Sequence, residues 1–478
     1  PGLLSLGFLW AGSRAGEEER LRIREEFGSA ALYAHHSARL AWEVPVAGGV
    51  WQIVPAMDET RSLTLNGTVT VTIPTNAVTR AIDGGAPRFW IRSRIASGSY
   101  DRPPRLVTVF LNAVEAEQAV PPAANATVPV ADIASTPAPG PQAYRLGVCS
   151  GDPHQKFRLP IAFSVTESMR LFTLEGDAPY RRWIAWERVD DLVASGPADS
   201  HYAFEDARAE VTFGDGERGR LAPRGSPCFI EYHATRGSAG SVASGLVRSV
   251  DSAWPALSVI NPGPSESGGD PETVEQASGR AIELLEAPTR AMTIVDIGDL
   301  CRGLPGTLVA RADVLPNHLP GLAGVRASGV TTVVIAPEAE AQRPIPSSGL
   351  LTTVAAYLEV RRIVGSRLVV IGPQYVEVSV RARLKAVRGV DPGSLRQAVE
   401  AAVAEFLHPL RGGESREGWP LGRDVYRAEI LQLLDAVPGV DHVLSLELSA
   451  DNGPPACGNL CLPATGLTVS GRHHIEVS

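Results

Sequence analysis

The chain has 478 residues, of which 44% are hydrophobic and 20% are charged. That composition is typical of globular proteins, and the length allows about three or four domains. The formal net charge of −9 argues against a general nucleic-acid-binding protein. No apolar run approaches the roughly 18 residues of a membrane-spanning helix. Five scattered cysteines, an odd number, favour synthesis in a reducing compartment over a disulfide framework.

The first 40 residues contain one candidate helix, from Glu17 to about Phe27, which is rich in Glu and Arg. Such a composition is typical of a solvated helix face. His35 and His36 are adjacent, and neighbours on a helix point about 100° apart, so they would form a poor chelate. The sequence begins at Pro1 without Met or a signal-peptide pattern, so we expect it to start inside a longer protein.

Residues 41–145 have the pattern of β-strands. Asn66-Gly67 predicts a hairpin turn within residues 63–74, and Val69, Val71 and Ile73 alternate after it. Further strands are predicted over residues 89–95 and 106–112. The Pro- and Ala-rich residues 119–142 are expected to form an extended linker or a long loop.

The run Gly147-Val-Cys-Ser-Gly151 matches the Gly-x-nucleophile-x-Gly elbow of α/β-hydrolases, with Cys149 as the nucleophile. The elbow requires a strand before it and a helix after it, whereas Asp152-Pro153 introduces a loop pattern. A cysteine-dependent hydrolase is therefore kept as an alternative function.

Residues 211–225 predict a strand that runs into a tight turn at Asp215-Gly216, with the signal of a hairpin. Glycines in this stretch allow sharp bends or close backbone approach. Asp215 and Glu217 are close in sequence, but a glycosidase pair must oppose its carboxylates about 5–10 Å apart across a cleft. At a turn, they are expected to cap and solvate the backbone.

Phe213-Gly214-Asp215-Gly216, followed by Gly219, Pro223 and Gly225, resembles the Phe-Gly-Asp-Gly-x-x-Gly signature of baseplate J-like assembly proteins. Members of that family are wedge components of phage tails and related contractile injection systems. Other family-like segments follow the same order and extend the resemblance over about residues 45–449: Trp90–Arg94, Tyr100–Pro104, Asp152–Leu159, Asn261-Pro262 and Gly268–Glu272 with Arg280. Residues 232–242 depart from the family pattern, with fewer glycines and Ser241 where Asn is usual.

Alternating helices and strands are predicted after residue 270. Asp270 with Pro271 predicts a capped helix that buries Val274, Ala277, Ala281, Ile282 and Leu285. Residues 376–384 alternate as an amphipathic strand, and Asp391 opens a helix with one apolar stripe. Strands are also expected over residues 307–313, 330–336, 368–371 and 440–448, and helices over 291–300, 350–361 and 424–435.

The Gly-rich segment 408–423 contains Gly418-Trp419-Pro420-Leu-Gly422-Arg423, which resembles the C-terminal domain of the same family. Two hypotheses follow for the tryptophan. Trp419 either fills the core of its own domain or, with Arg423, anchors a subunit contact, since Trp and Arg are enriched at interface hot spots.

Cys457 and Cys461 are followed by His473-His474, and the spacing of this last pair is wrong for a zinc finger. We therefore expect ordinary thiols, with no metal, cofactor or catalytic site.

The predicted fold class is multidomain α+β, in which β-rich N-terminal and central domains are followed by two small split-βαβ-like domains. The expected segments are a helical fragment (1–40), a β-rich domain (41–145), a β-rich domain with the Asp215-Gly216 hairpin (146–270), a baseplate J-like α+β domain (271–373) and a C-terminal α+β domain (374–478).

The resemblance implies a structural, non-enzymatic wedge subunit that links the central hub and tube to the sheath and transmits the contraction trigger. Its implied partners are other wedge subunits, either copies of itself or a paralogue, and the hub, spike and sheath-initiating proteins, without nucleic acid or membrane insertion. It would be made in the bacterial cytoplasm and become part of an assembled particle. A carbohydrate-binding tail-fibre module is a further alternative.

Overall fold

The computed structural model describes residues 2–11, 16–28, 38–134, 137–161, 164–250, 257–266, 268–270, 272–322, 325–451, 453–454 and 458–478. Over these ranges the chain forms 21 strands and six α-helices. It is mixed α+β and rich in strands in its N-terminal and central parts, which confirms the predicted fold class. Two compact units are present, residues 1–114 with 285–478, and residues 115–284. The finer five-segment division stays a prediction.

Two antiparallel sheets form the N-terminal part of the first unit. One has the order β4 (Ala56–Asp58), β5 (Gly67–Ile73), β1 (Gly2–Trp10) and β7 (Leu106–Leu111). The other has the order β3 (Trp51–Val54), β2 (Ala38–Pro45) and β6 (Arg92–Gly98). Their shared core consists of Leu6, Phe8, Trp10, Trp42, Val44, Val54, Val69 and Val71. Strand β1 was not anticipated from the sequence.

Helix α1 (Glu17–Phe27) is confirmed, but it is not wholly solvated. Ile23 is completely buried and clusters with Leu65. Phe27 packs edge-on against Tyr357, with ring centroids 6.3 Å apart. A solvated helix would leave these side chains in water, so α1 is part of the core of the first unit.

The backbone of Gly306 is held between two buried, oppositely charged side chains. The Gly306 N–H donates to Oε1 of Glu19 over 2.6 Å, and its carbonyl accepts from Nη1 of Arg61 over 2.6 Å. Both side chains are almost fully buried. Burial lowers the pKa of Arg61 to about 10. These bonds join residues separated by more than 240 positions, and they connect the N-terminal sheets to the later part of the unit.

Arg61 belongs to a left-handed turn in which it, Ser62 and Leu63 have φ values of +52°, +55° and +63°. Three consecutive non-glycine residues in this region are unusual, because each costs about 1–2 kcal/mol in backbone strain. The Asp58 carboxylate supports the turn by accepting from the N–H groups of Thr60 and Ser62. The connection from β4, which ends at Asp58, to β5 is longer than a two-residue turn, so the predicted hairpin turn at Asn66-Gly67 is wrong. Strand β5 begins at Gly67 rather than at Leu63.

The second unit is built on one seven-stranded sheet. Its order is β8 (Tyr144–Val148), β14 (Pro227–Ala234), β10 (Ser164–Glu175), β11 (Arg182–Val189), β12 (His201–Glu205), β13 (Glu210–Phe213) and β9 (Lys156–Arg158). The predicted linker 119–142 is not free of the sheet, because Ala126, Val128 and Ala131 pack against a cluster that includes Phe172 and Trp183.

Helix α2 (Val274–Glu286) forms where the sequence predicted a helix, but two details were wrong. None of its residues is buried, whereas the sequence placed a stripe of five in the core. Asp270 is not the cap, because its carboxylate accepts from the backbone and hydroxyl of Ser238. Thr273 and Gln276 instead bond reciprocally at the start of the helix, as a capping box does.

Residues 291–371 form a small α+β arrangement. Helix α3 (Ile294–Gly303) starts at a Thr293–Asp296 capping box, and α4 (Ser348–Glu359) starts at Ser347. Strands β15 (Val309–His318), β16 (Arg326–Pro337) and β17 (Arg367–Ile371) make its sheet. Because β16 and β17 are parallel, α4 serves as the crossover between them.

The C-terminal α+β arrangement is centred on β18 (Gln374–Ala386), whose alternate residues from Val376 to Leu384 are buried as predicted. Strand β19 (Val440–Ala450) lies antiparallel on one side of β18, and β20 (Gly466–Ser470) and β21 (His474–Val477) lie parallel on the other. Helix α5 (Pro392–Phe406), capped by Asp391 as predicted, contributes to the core together with α6 (Arg427–Asp435).

The Gly306 contact leads to a stability prediction. A Cβ at Gly306 would lie 2.5 Å from Nη1 of Arg61 and 3.0 Å from the Ile23 side chain, and the φ of +72° is unfavourable for alanine. Gly306→Ala should lower the free energy of unfolding of the first unit by about 2–3 kcal/mol, measured by urea denaturation.

Gly365→Ala is the matched control, because Gly365 has a similar φ of +87° with open space around its Cβ position. It should cost only about 1 kcal/mol from backbone strain. Equal losses in the two variants would show that the Glu19–Gly306–Arg61 packing adds nothing.

Candidate functional site

The Phe213-Gly214-Asp215-Gly216 motif lies at the end of β13, and its aromatic residue is part of the core. Phe213 is completely buried. Its ring is edge-on to Trp186, with centroids 4.7 Å apart, and edge-on to Phe157 at 6.1 Å. The phenylalanine therefore anchors the start of the loop in the sheet.

The motif glycines allow the loop to fold back on itself. A Cβ at Gly214 would lie 2.3 Å from both the carbonyl carbon and the oxygen of Gly219, so the backbones are in direct contact. Gly216 and Gly219 have φ values of +91° and +83°, and the Gly216 N–H donates to the Gly219 carbonyl over 2.9 Å. The predicted turn with positive φ is confirmed.

The predicted hairpin around this turn is wrong. Three strands separate β13 from β14 in the sheet, so the loop connects distant positions instead of two paired neighbours. Asp-Gly is a strong hairpin signal because it supplies the turn, but pairing of the following strand depends on tertiary contacts that the dipeptide does not encode.

Asp215 stabilises the turn with its side chain. Its Oδ1 accepts from the N–H groups of Glu217 over 2.8 Å and of Arg218 over 2.6 Å. These backbone hydrogen bonds, first that of Arg218, hold the pKa of Asp215 below its usual value. His154 Nε2 lies 3.5 Å from its Oδ2. The carboxylate thus acts as the predicted turn cap.

Behind the loop is a polar network that the sequence analysis missed. Arg220 stacks over Trp186 at 4.9 Å and forms an ion pair with Glu175. The Trp186 Nε1–H donates to the hydroxyl of Thr173 over 2.7 Å, and that hydroxyl donates to Glu175 over 2.6 Å. The sequence shows only that Arg220 directly follows the motif residue Gly219. That position does not indicate that Arg220 contacts Glu175 and Trp186.

The second motif, Gly418-Trp419-Pro420-Leu-Gly422-Arg423, is also part of a core. Trp419 is 0% exposed, its Nε1–H donates to the Arg423 carbonyl over 2.9 Å, and its ring is edge-on to Phe406. A Cβ at Gly418 would lie 2.5 Å from the Pro409 oxygen. This burial supports the hypothesis that Trp419 fills its own domain, because the side chain has no exposed surface for a subunit contact.

Two arginines fix this loop from either side. Arg311, on β15, donates from Nη1 to the carbonyls of Pro409 over 2.8 Å and Trp419 over 2.5 Å. It thereby joins the two small α+β arrangements, a role that no sequence motif indicated. Arg423 pairs with Glu429 and lies over the rings of Trp419 and Tyr426.

Cys149 does not lie in a nucleophile elbow. Strand β8 precedes it, but the next element is β9 and no helix lies between them in the chain. Cys149 is 2% exposed and belongs to the same buried core cluster as Cys228. Burial raises the pKa of Cys228 well above its usual value.

The candidate metal ligands are not brought together in the described part of the chain. His473 accepts at Nδ1 from the Val380 N–H over 3.1 Å and contacts the Ser470 hydroxyl through Nε2, and burial lowers its pKa. Cys461 is exposed, whereas Cys457, His35 and His36 lie outside the described residues. No group of three His, Cys, Asp or Glu side chains in the described ranges could hold a metal ion.

The described helices include none that is long and apolar enough to cross a membrane.

Comparison with known proteins gives a likeness to solved structures. The chain matches no protein-family model and no curated protein. Among solved structures, it is similar to a chain of the cryo-EM structure of the anti-feeding prophage (AFP) baseplate, 6-fold symmetrised. The likeness covers 69% of this chain and 76% of that chain, with 17% identity and a TM-score of 0.36. At these values, it carries no argument about what this chain does.

The contact between Gly214 and Gly219 predicts a large effect for a small substitution. Gly214→Ala should lower the free energy of unfolding of the second unit by about 2–3 kcal/mol, because backbone must move to admit the methyl group. Gly216→Val should cost at least about 1 kcal/mol through its positive φ. Denaturation followed by Trp fluorescence measures both effects.

Gly263→Ala is the control, since nothing lies within 4 Å of its Cβ position and its φ is not positive. It should leave stability unchanged within about 0.5 kcal/mol. A Gly214→Ala protein as stable as this control would contradict the close approach.

The burial of Trp419 predicts that Trp419→Ala destabilises the C-terminal core by about 3–5 kcal/mol, because it leaves a large cavity. Tyr426→Ala, at a nearby position that is 41% exposed, should cost less than about 1 kcal/mol. Hydrogen exchange of α5 and β18 in the full chain measures this difference. Unchanged protection in Trp419→Ala would show that the side chain is not a core residue.

Proposed function

We propose that the chain is a structural wedge subunit of the baseplate of a contractile phage tail-like injection system. The proposal rests on the ordered family-like motifs over about residues 45–449. The observation that carries it is that these motif residues serve architecture. Phe213 and Trp419 are core residues, and Gly214, Gly418 and Gly422 are positions where a Cβ would collide with neighbouring atoms.

Within a baseplate, the subunit would link the hub and tube to the sheath and transmit the contraction trigger. Its partners would be other wedge subunits, copies or a paralogue, together with hub, spike and sheath-initiating proteins. A relay of this kind needs domains that move as one body. Hydrogen bonds from charged side chains to the backbone, at Gly306 and from Arg311, join parts of the first unit that are far apart in sequence, and these contacts support such rigidity.

Neither alternative function has an observation in its favour. A hydrolase would need an accessible Cys149 in a strand–turn–helix elbow, and the residue is buried before a strand. A carbohydrate-binding module would need a platform of exposed aromatic rings, whereas the described tryptophans are buried or half-buried and the exposed Phe89 and Tyr180 belong to different units.

The test is to delete the coding sequence in the source bacterium and to image released particles by negative-stain electron microscopy. We expect no sheathed tubes with complete baseplates, and we expect the wild-type chain supplied in trans to restore them. The matched variant Cys149→Ala should restore them equally well. Complete particles without the chain would refute the proposal, and restoration by wild type but not by a stably folded Cys149→Ala would favour thiol chemistry.

A further inference from the structure

Strand β7 is an edge strand without the usual protection against pairing. At the opposite edge of its sheet, β4 has three residues and ends at Asp58. In the facing sheet, edge strand β6 carries Arg92 and Arg94. By contrast, β7 has six residues, Leu-Val-Thr-Val-Phe-Leu, without a charge or a proline. Short strands and charges are the usual means of blocking an edge, and β7 has neither.

The apolar face of this sheet continues beyond its covered core. Val109 lies opposite Phe8 and Leu111 lies opposite Leu6, so these pairs share the core side of the sheet. Phe8 and Leu6 are buried, whereas Val109 is 41% exposed and Leu111 is 70% exposed. The hydrophobic face thus reaches the open edge without being covered there.

The hydrogen-bonding groups of β7 also point outward at regular positions. The Asn112 N–H donates to the Ser5 carbonyl over 2.7 Å, which fixes the alternation along the strand. Because backbone direction alternates, Phe110 faces β1 and the N–H and C=O groups of Val109 and Leu111 face away from it. No described strand lies beyond β7 in the sheet. A β-bulge near Val107 leaves Thr108–Leu111 as the regular segment.

We propose that β7 pairs antiparallel with β7 of a second copy of this chain, across a two-fold axis at Phe110. Val109 of one copy then faces Leu111 of the second copy and exchanges both backbone hydrogen bonds with it, and the reverse pair does the same. Phe110 faces its counterpart as a non-hydrogen-bonded pair, the closer type of cross-strand pair. The two four-stranded sheets become one sheet of eight strands.

A second copy fits this edge because the segment is complementary to itself. A two-fold interface places the same patch on both subunits. In this register the central pairs around Phe110 are apolar, the flanking pair is Thr108 with Asn112, and no charge faces its like. The contact is small, so it belongs to the weak class below about 1,200 Å² of buried surface, with a dissociation constant on the order of micromolar. The inference concerns the chain alone and does not rest on the proposed function.

The test is sedimentation velocity of the full chain from about 1 to 200 μM, with hydrogen exchange at both ends of that range. We expect a monomer–dimer equilibrium, and we expect protection of the Val109 and Leu111 amides to increase with concentration. Leu111→Lys should weaken dimerisation at least about tenfold, because it places a lysine charge opposite Val109 of the second copy on each side of the two-fold axis. Leu3→Lys, at an equally exposed leucine of the same sheet, should leave it unchanged.

Three outcomes would overturn the proposal. They are a monomer throughout the range, a dimer whose β7 amides gain no protection, and equal weakening by Leu3→Lys and Leu111→Lys. The exchange measurement uses the wild-type chain, so it decides the matter even if a lysine variant folds poorly. Particle imaging remains a separate readout, and a failed dimer would leave the wedge proposal standing.

Discussion

The packing of the first unit depends on the backbone of Gly306, whose N–H group binds Glu19 and whose carbonyl binds Arg61. A buried carboxylate and a buried guanidinium would each be costly alone, because desolvation penalises the charged forms. Here each charge has a backbone partner at 2.6 Å, so the N–H and C=O groups of the single residue Gly306 satisfy one hydrogen bond for each. The glycine is required because a Cβ would meet Arg61 and Ile23. This contact, with others such as Phe27 on Tyr357 and Arg361 with Glu26, joins residues 1–114 to residues 285–478 in one compact unit although 170 residues separate them in the chain.

The contact depends on a backbone conformation that has no local sequence signal, so the sequence did not predict it. Arg61 reaches Gly306 from a left-handed turn whose three residues all have positive φ. None of them is glycine, so no local signal predicted the turn, and Asn66-Gly67 favoured a hairpin instead. Strain of this kind persists only where the surroundings over-determine it. Here the Asp58 carboxylate and the Tyr100 hydroxyl, which donates to the Ser62 carbonyl, hold the backbone in place.

Elements defined by local pattern were predictable from the sequence. Strand β18 and helix α5 follow binary patterns of period 2 and 3.6, and Asp391 caps α5 as expected. The positive φ of Gly216 followed from the Asp-Gly dipeptide. Pattern was not enough for α2, whose apolar stripe predicted burial that the described structure does not provide. Amphipathic periodicity indicates that a helix forms, but whether its face is covered depends on tertiary placement.

The two motif loops share one design, in which an aromatic side chain is fixed in a core and adjacent glycines let backbone segments touch. Phe213 and Gly214 do this in the second unit, and Trp419 and Gly418 do it in the C-terminal core. An arginine outside each motif adds a polar contact. At the first loop, Arg220 forms an ion pair with Glu175, and at the second loop, Arg311 donates a hydrogen bond to the Trp419 carbonyl. Close packing together with these arginine contacts resists small displacements, because packed cores do not deform continuously. Motif residues used in this way are unavailable for chemistry at a surface. The association proposed above would therefore use other parts of the chain, such as the unprotected edge of β7.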